Sequence, residues 1–210
     1  MAAQGSRRGR EERGATLIEL ALVLPVLALL AFAVAEVGLA WTAENRVQGA
    51  VSTVARTGAS SGQIPSSDAL MILSLRAALP AEDLQGLDRL VIYRANDAQG
   101  APPAGCIFPV GDPSLAPAGS ATCNTYTGDF VRSVTSADDA RLSGGTGTVC
   151  SSSKRDRYYC PTTRKDTLSG PPDWIGVWVR VVHPNPLPFF FDDFTMEKRA
   201  VFRVQPDYTG

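Results

Sequence analysis

Apolar and polar positions divide the chain sharply. Leu20–Ala35 reads LALVLPVLALLAFAVA, sixteen residues without a charge, flanked by Glu19 and Glu36. Widened to Ala15–Trp41, the run has 27 largely apolar residues. As a helix rising about 1.5 Å per residue it measures about 40 Å, enough to cross a hydrocarbon core of about 30 Å. The two glutamates then fall near opposite interfaces, where ionised groups are tolerated. Pro25 removes one bond inside this helix, to the carbonyl of Ala21, and predicts a bend. Beyond Trp41, the positions Ala43, Val47, Ala50, Val51 and Val54 recur at helical spacing, so the helix continues as an amphipathic stem, with Gly58 as its stop.

Later patterns change period. Asp68–Leu79 (DALMILSLRAAL) reads as a second helix, opened by Ser66 or Ser67, closed by Pro80 and turning its apolar residues to the core. Leu90–Tyr93 is a first strand and Phe130–Val134 a short one. Ile175, Val177, Val179 and Val181 alternate with Trp174, Trp178 and Arg180, a strand covered at least partly on both faces. Thr195–Val204 alternates as its half-exposed partner, and the loop between them carries Phe189, Phe190 and Phe191, which either form a partner contact or, as expected here, fold back into the core. Residues 96–172 are rich in Gly, Pro, Ser and Thr, with little periodicity. Within them, Lys154–Tyr159 (KRDRYY) reads as a solvated loop face. The expected fold is α+β: one membrane helix extended into a stem, then a small antiparallel-sheet head with a long loop region.

Charge adds direction. The net charge is −1, so no bulk field draws nucleic acid or anionic lipid. Arg7, Arg8, Arg10 and Arg13 precede the apolar run and no arginine follows until Arg46. The positive-inside bias places the N-terminus in the cytoplasm and the head outside it. Cys106, Cys123, Cys150 and Cys160 all lie in the loop-rich stretch. Outside the cytoplasm two disulfides are expected; inside it, a zinc site competes. Four cysteines allow three connectivities; the shortest closures, Cys106 with Cys123 and Cys150 with Cys160, require the least chain organisation.

Ahead of the apolar run stands Arg13-Gly14-Ala15-Thr16-Leu17-Ile18-Glu19-Leu20. This resembles the prepilin peptidase site of type IV pilins and pseudopilins, in which a basic leader ends in Gly and Glu is the fifth mature residue. Pro25 within the span and Glu36 near its end are similar to the TadE and TadG proteins of the tight-adherence system. The stem from Glu44 to Ala59 resembles that family too, as do Trp174–Arg180, the HPNPLPFFF loop and Arg199–Arg203. The resemblance covers both ends and not the middle, and the Leu20 position, often aromatic in the family, departs from it.

The resemblance implies cleavage between Gly14 and Ala15, with Glu19 then able to pair with the new Ala15 ammonium of a neighbouring subunit. The parts become a leader at 1–14, a membrane helix at 15–41, a stem at 42–58 and an extracytoplasmic head at 59–210. It also implies a structural minor pilin or pseudopilin in the bacterial inner membrane, whose partners are the peptidase, other pilin-like subunits and assembly proteins, and lipid. The competing readings are a plain single-pass anchor and a signal peptide cleaved after Ala33-Val34-Ala35, either one exporting a binding module of other function. An enzyme finds least support. His183 stands beside Pro184 without a signature tying it to a nucleophile, Asp192-Asp193 reads as loop charge rather than a calcium site, and no phosphate loop or cofactor or small-molecule motif is present.

Overall fold

The computed structural model describes residues 5–107, 122–166, 171–184 and 193–205. The apolar run and the stem form α1, Gly5–Ser61, and the helix persists through Pro25. The chain up to Thr42 belongs to one compact unit, and Ala43 opens a second. Gly58 is not the stop that the spacing predicts. It lies inside α1, where a Cβ would come 2.6 Å from Sδ and Cε of Met71, so glycine there admits a close neighbour. Gly62, at φ +54°, follows the last helical residue instead, in the left-handed conformation that terminates helices.

The second unit is built on four antiparallel strands: β1 (Leu87–Ala95), β2 (Cys123–Thr127), β3 (Trp174–His183) and β4 (Phe194–Arg203), in the order β2-β1-β3-β4. Strand period explains its two cores. Leu90 and Ile92 of β1, with Ile175, Val177, Val179 and Val181 of β3, join Val47, Val51 and Val54 of the stem in one cluster. Helix α2 (Ser67–Ala78), closed before Pro80 as expected, adds Ala69, Met71, Ile72 and Leu75 to it. The intervening Val91, Tyr93 and Trp178 face the other way and pack with Cys106 and Cys123. Each such buried aliphatic side chain contributes about 1.5–3 kcal/mol, so the two-faced burial of β1 and β3 makes them the centre of the head.

Two short elements depart from the sequence pattern. Phe130–Val134 is not a strand: residues Gly128–Ser133 form a helical turn, α5, whose N-cap Thr127 accepts through its hydroxyl from Phe130 N–H at 3.3 Å. Apolar residues at 130, 131 and 134 satisfy one helical face as well as a strand, and the cap decides between them. Gly128 is required where α5 meets β1, because a Cβ would fall 1.7 Å from the Leu87 carbonyl oxygen. Strand β2, read from sequence as loop, is the second departure. The 3-residue 3-10 turns Arg157–Tyr159 and Pro161–Thr163 and the helices α3 (Ala81–Gln85) and α4 (Ala104–Ile107) complete the unit. The Phe189–Phe191 run lies outside the described residues.

Candidate membrane helix and the locked head

Helix α1 carries the sequence-predicted processing register. Gly14, Ala15 and Glu19 all fall on it, and Glu19 is exposed. From Leu17 onward the helix is long and apolar enough to cross a bilayer, and no residue of its most apolar 18-residue window is buried. Leu17, Ile18, Leu20, Leu22, Val23, Leu24, Val26 and Leu27 are all more than half or about half exposed, a side-chain surface that water does not stabilise. Apolar exposure on every side of a helix is what a lipid or helix-packed environment selects. Glu36 differs from Glu19: it is buried.

In the second unit the stem is fixed to the sheet by polar contacts as well as by its valines. Gln48 donates from Nε2 to the Arg199 carbonyl at 3.1 Å, and Lys198 Nζ lies 3.0 Å from Glu44 Oε2. Half-exposed pairs of the second kind contribute little, about 0–1 kcal/mol, so the apolar seam carries the attachment.

The loop-rich segment is held by two disulfides and a buried polar network. Cys106 is bonded to Cys123 and Cys150 to Cys160. Arg164, Asp68, Asn124 and Tyr126 are completely buried. Arg164 pairs with Asp68 through Nη2 and donates from Nη1 to Ser67 Oγ at 3.0 Å. The second Asp68 oxygen accepts from Tyr126 OH at 2.7 Å and from Asn124 Nδ2 at 2.8 Å. Asn124 returns its carbonyl to Tyr159 N–H at 2.8 Å. These bonds explain β2: its Asn, a residue depleted in strands, and the hydroxyl of its Tyr are buried with their partners.

Lys154–Tyr159 is a correction of the same kind. The expected solvated face is folded inward, with Lys154 donating to the carbonyls of Ala140, Leu142 and Thr146 at 2.8, 3.1 and 2.6 Å. Asp156 is also fully buried and accepts from the Ser143 hydroxyl at 2.7 Å and the Ser143 N–H at 2.9 Å. Three loop carbonyls and one turn are thus gathered by two charges that the segment itself supplies.

Burial sets the electrostatics of this region. Desolvation raises the Tyr126 hydroxyl well above its ordinary range, and the carboxylates of Asp68 and Asp156 raise it further. Desolvation also raises Asp156, with Asp68 adding to it and the Ser143 bonds opposing. For Arg164 burial acts downward, but Asp68 and Tyr159 outweigh it and the guanidinium is raised. A carboxyl raised in the folded state binds its proton more tightly there than in the unfolded chain. Its contribution is therefore full below the unfolded value of about 3.9 and is lost as pH rises through the folded value. Asp156→Asn should abolish that loss. In urea titrations across this window the wild type is expected to lose stability with rising pH relative to the variant; parallel curves would refute the assignment.

The remaining singled-out residues find structural places. His183 Nδ1 lies 2.5 Å from Asp83 Oδ1, a buried pair that sequence reading missed because Asp83 sits a hundred positions away in α3. Asp193 is exposed, and Asp192 lies outside the described residues. Among the described residues no group of three or more His, Cys, Asp or Glu side chains is placed to hold a metal ion.

Residues 14–56 match the family described as TadE-like protein, a span that opens at the Gly14 register and stops within the stem. No curated protein and no solved structure matches the chain.

Proposed function

We propose that this TadE-like chain is a structural minor pilin or pseudopilin of a tight-adherence pilus machine, processed between Gly14 and Ala15. Residues 1–14 are its leader, 15–41 its membrane helix, 42–58 its stem and 59–210 a head on the outer side of the inner membrane. The observation that carries this reading is one register: Gly14 and Glu19 stand at a fixed offset across the start of the stretch of α1 whose large apolar side chains, from Leu17 to Trp41, are exposed. A soluble binding module needs neither the offset nor the surface.

The offset has a physical use. Cleavage after Gly14 creates an ammonium at Ala15, and a carboxylate at the apolar boundary of a neighbouring subunit can neutralise it. A pair in a poorly solvated place costs several kcal/mol to break by removing one partner, because the other charge is stranded. Glu19→Ala is therefore expected to leave the protein inserted and processed, since loss of a charge favours partitioning into lipid. Co-purification with other pilin-like subunits should fall by about tenfold or more, which corresponds to about 1.4 kcal/mol. Unchanged co-purification would remove the role assigned to Glu19. Gly14→Val acts elsewhere: it should block the peptidase and leave the arginine leader attached.

A further inference from the structure

At one end of the sheet, where Ala95, Trp174 and Arg203 stand side by side on β1, β3 and β4, a polar groove of about 790 Å³ opens. Its electropositive wall is built rather than incidental. Asp173 is almost fully buried and takes Arg94 Nη2 at 2.7 Å on one carboxylate oxygen and Lys165 N–H at 3.0 Å on the other. Its main chain is fixed as well, to the Lys165 carbonyl and the Val204 N–H, both at 2.9 Å. Arg94 is thereby oriented while half its side chain stays exposed. The exposed Arg203 guanidinium lies 5.6 Å from the centroid of the Trp174 ring, and makes no ion pair with a described residue. Asn96 and Thr122 belong to the same lining.

We propose that this groove binds an acidic saccharide, a pyranose carrying a carboxylate of the hexuronate kind. Two guanidiniums face one carboxylate, which leaves the lining with net positive charge for a single anion. Arginine's planar fork suits a carboxylate. Asn96 and Thr122 can each donate to and accept from ring hydroxyls. The partly exposed Trp174 and Pro103 and Pro171 offer flat faces for the C–H side of a sugar. Two other ligand classes fit less well. The lining has no Leu, Ile, Val, Met or Phe, so a peptide finds no aliphatic pocket for an anchor side chain. Two cations opposed by an acid do not make the cationic track that nucleic acid requires. The Cys106–Cys123 bond ties β2, beside Thr122, to α4, which follows Pro103, so little ordering entropy is lost on binding. The inference is independent of whether the chain enters a filament.

Calorimetric titration of the full-length protein in phosphatidylcholine nanodiscs with trigalacturonate, maltotriose and a dT10 oligonucleotide tests it. Saturable binding of trigalacturonate is expected, with maltotriose weaker by about tenfold or more for want of the charge-assisted bonds. Arg203→Gln should weaken trigalacturonate about tenfold with an unchanged far-ultraviolet circular dichroism spectrum and thermal midpoint, and Asn96→Ala should weaken it without touching the ring contact. No saturable trigalacturonate binding by natively folded protein, equal binding of maltotriose, tighter binding of dT10, or indifference to both substitutions would each overturn the proposal.

Discussion

Asp68→Ala is expected to destabilise the head by about 3–5 kcal/mol, the range for removing one member of a buried ion pair. The carboxylate is completely buried and serves three donors at once: Arg164, Tyr126 and Asn124. With it gone, a completely buried guanidinium keeps Ser67 Oγ and the Tyr159 carbonyl, at 3.0 and 3.2 Å, but loses its counter-charge. A domain of ordinary stability, about 5–15 kcal/mol, loses a large part of it. The damage should be local first, because Asp68 lies on α2 while Asn124 and Arg164 belong to the cysteine-bearing segment. The double variant Asp68→Leu/Arg164→Met is expected to be less destabilised than the sum of the singles, since it removes the stranded charge. Urea unfolding of the four proteins measures this, and additive effects would show that the pair is not coupled.

Gly176→Ala is expected to cost about 2–4 kcal/mol although it adds one methyl group, combining overpacking with a lost hydrogen bond. Gly176 stands directly opposite Tyr93 on the neighbouring strand, and the Tyr93 ring occupies the place of the missing side chain. A Cβ at 176 would lie 2.2, 2.4 and 2.6 Å from three ring carbons. The ring cannot yield freely: Tyr93 is fully buried and donates to the Gly100 carbonyl at 2.8 Å. Burial also pushes its hydroxyl up to about 12, with Arg199 acting slightly against this, so it stays a donor at any physiological pH. Tyr93→Phe removes only that bond and should cost about 1 kcal/mol. Tyr93→Leu in the Gly176→Ala background should recover part of the loss, because the smaller side chain vacates the collision. Thermal midpoints of the four proteins decide; a Gly176→Ala midpoint equal to wild type would contradict the packing.

Parts of the molecule were legible wherever one physical signal dominated. The apolar run and the stem follow from hydrophobic period alone, α2 from period with Pro80 behind it, and β3 and β4 from alternation over ten residues each. Legibility failed where burial is polar. Strand β2 reads Cys-Asn-Thr-Tyr-Thr, and only Asp68 and Tyr159, far away in sequence, make its asparagine and tyrosine acceptable inside. Lys154 and Asp156 deceived for the same reason, since a composition suited to solvent is equally suited to caging carbonyls. Gly58 and Gly62 show a finer limit: both are helix-end residues by type, and only Met71, packed against Gly58, tells them apart. Of the proposed processing register, the sequence carries the offset and the structure adds the exposure of Glu19 and of the apolar surface after it.

The N-terminal residue of the mature protein, read by mass spectrometry from native membranes, tests the central claim most directly. A chain beginning at Ala15 is the predicted result: the leader has been removed at Gly14 and Glu19 has become the fifth residue. A chain beginning at Met1 or Ala2 would make α1 an ordinary anchor, and one beginning at Glu36 would make it a signal peptide; either would contradict the account.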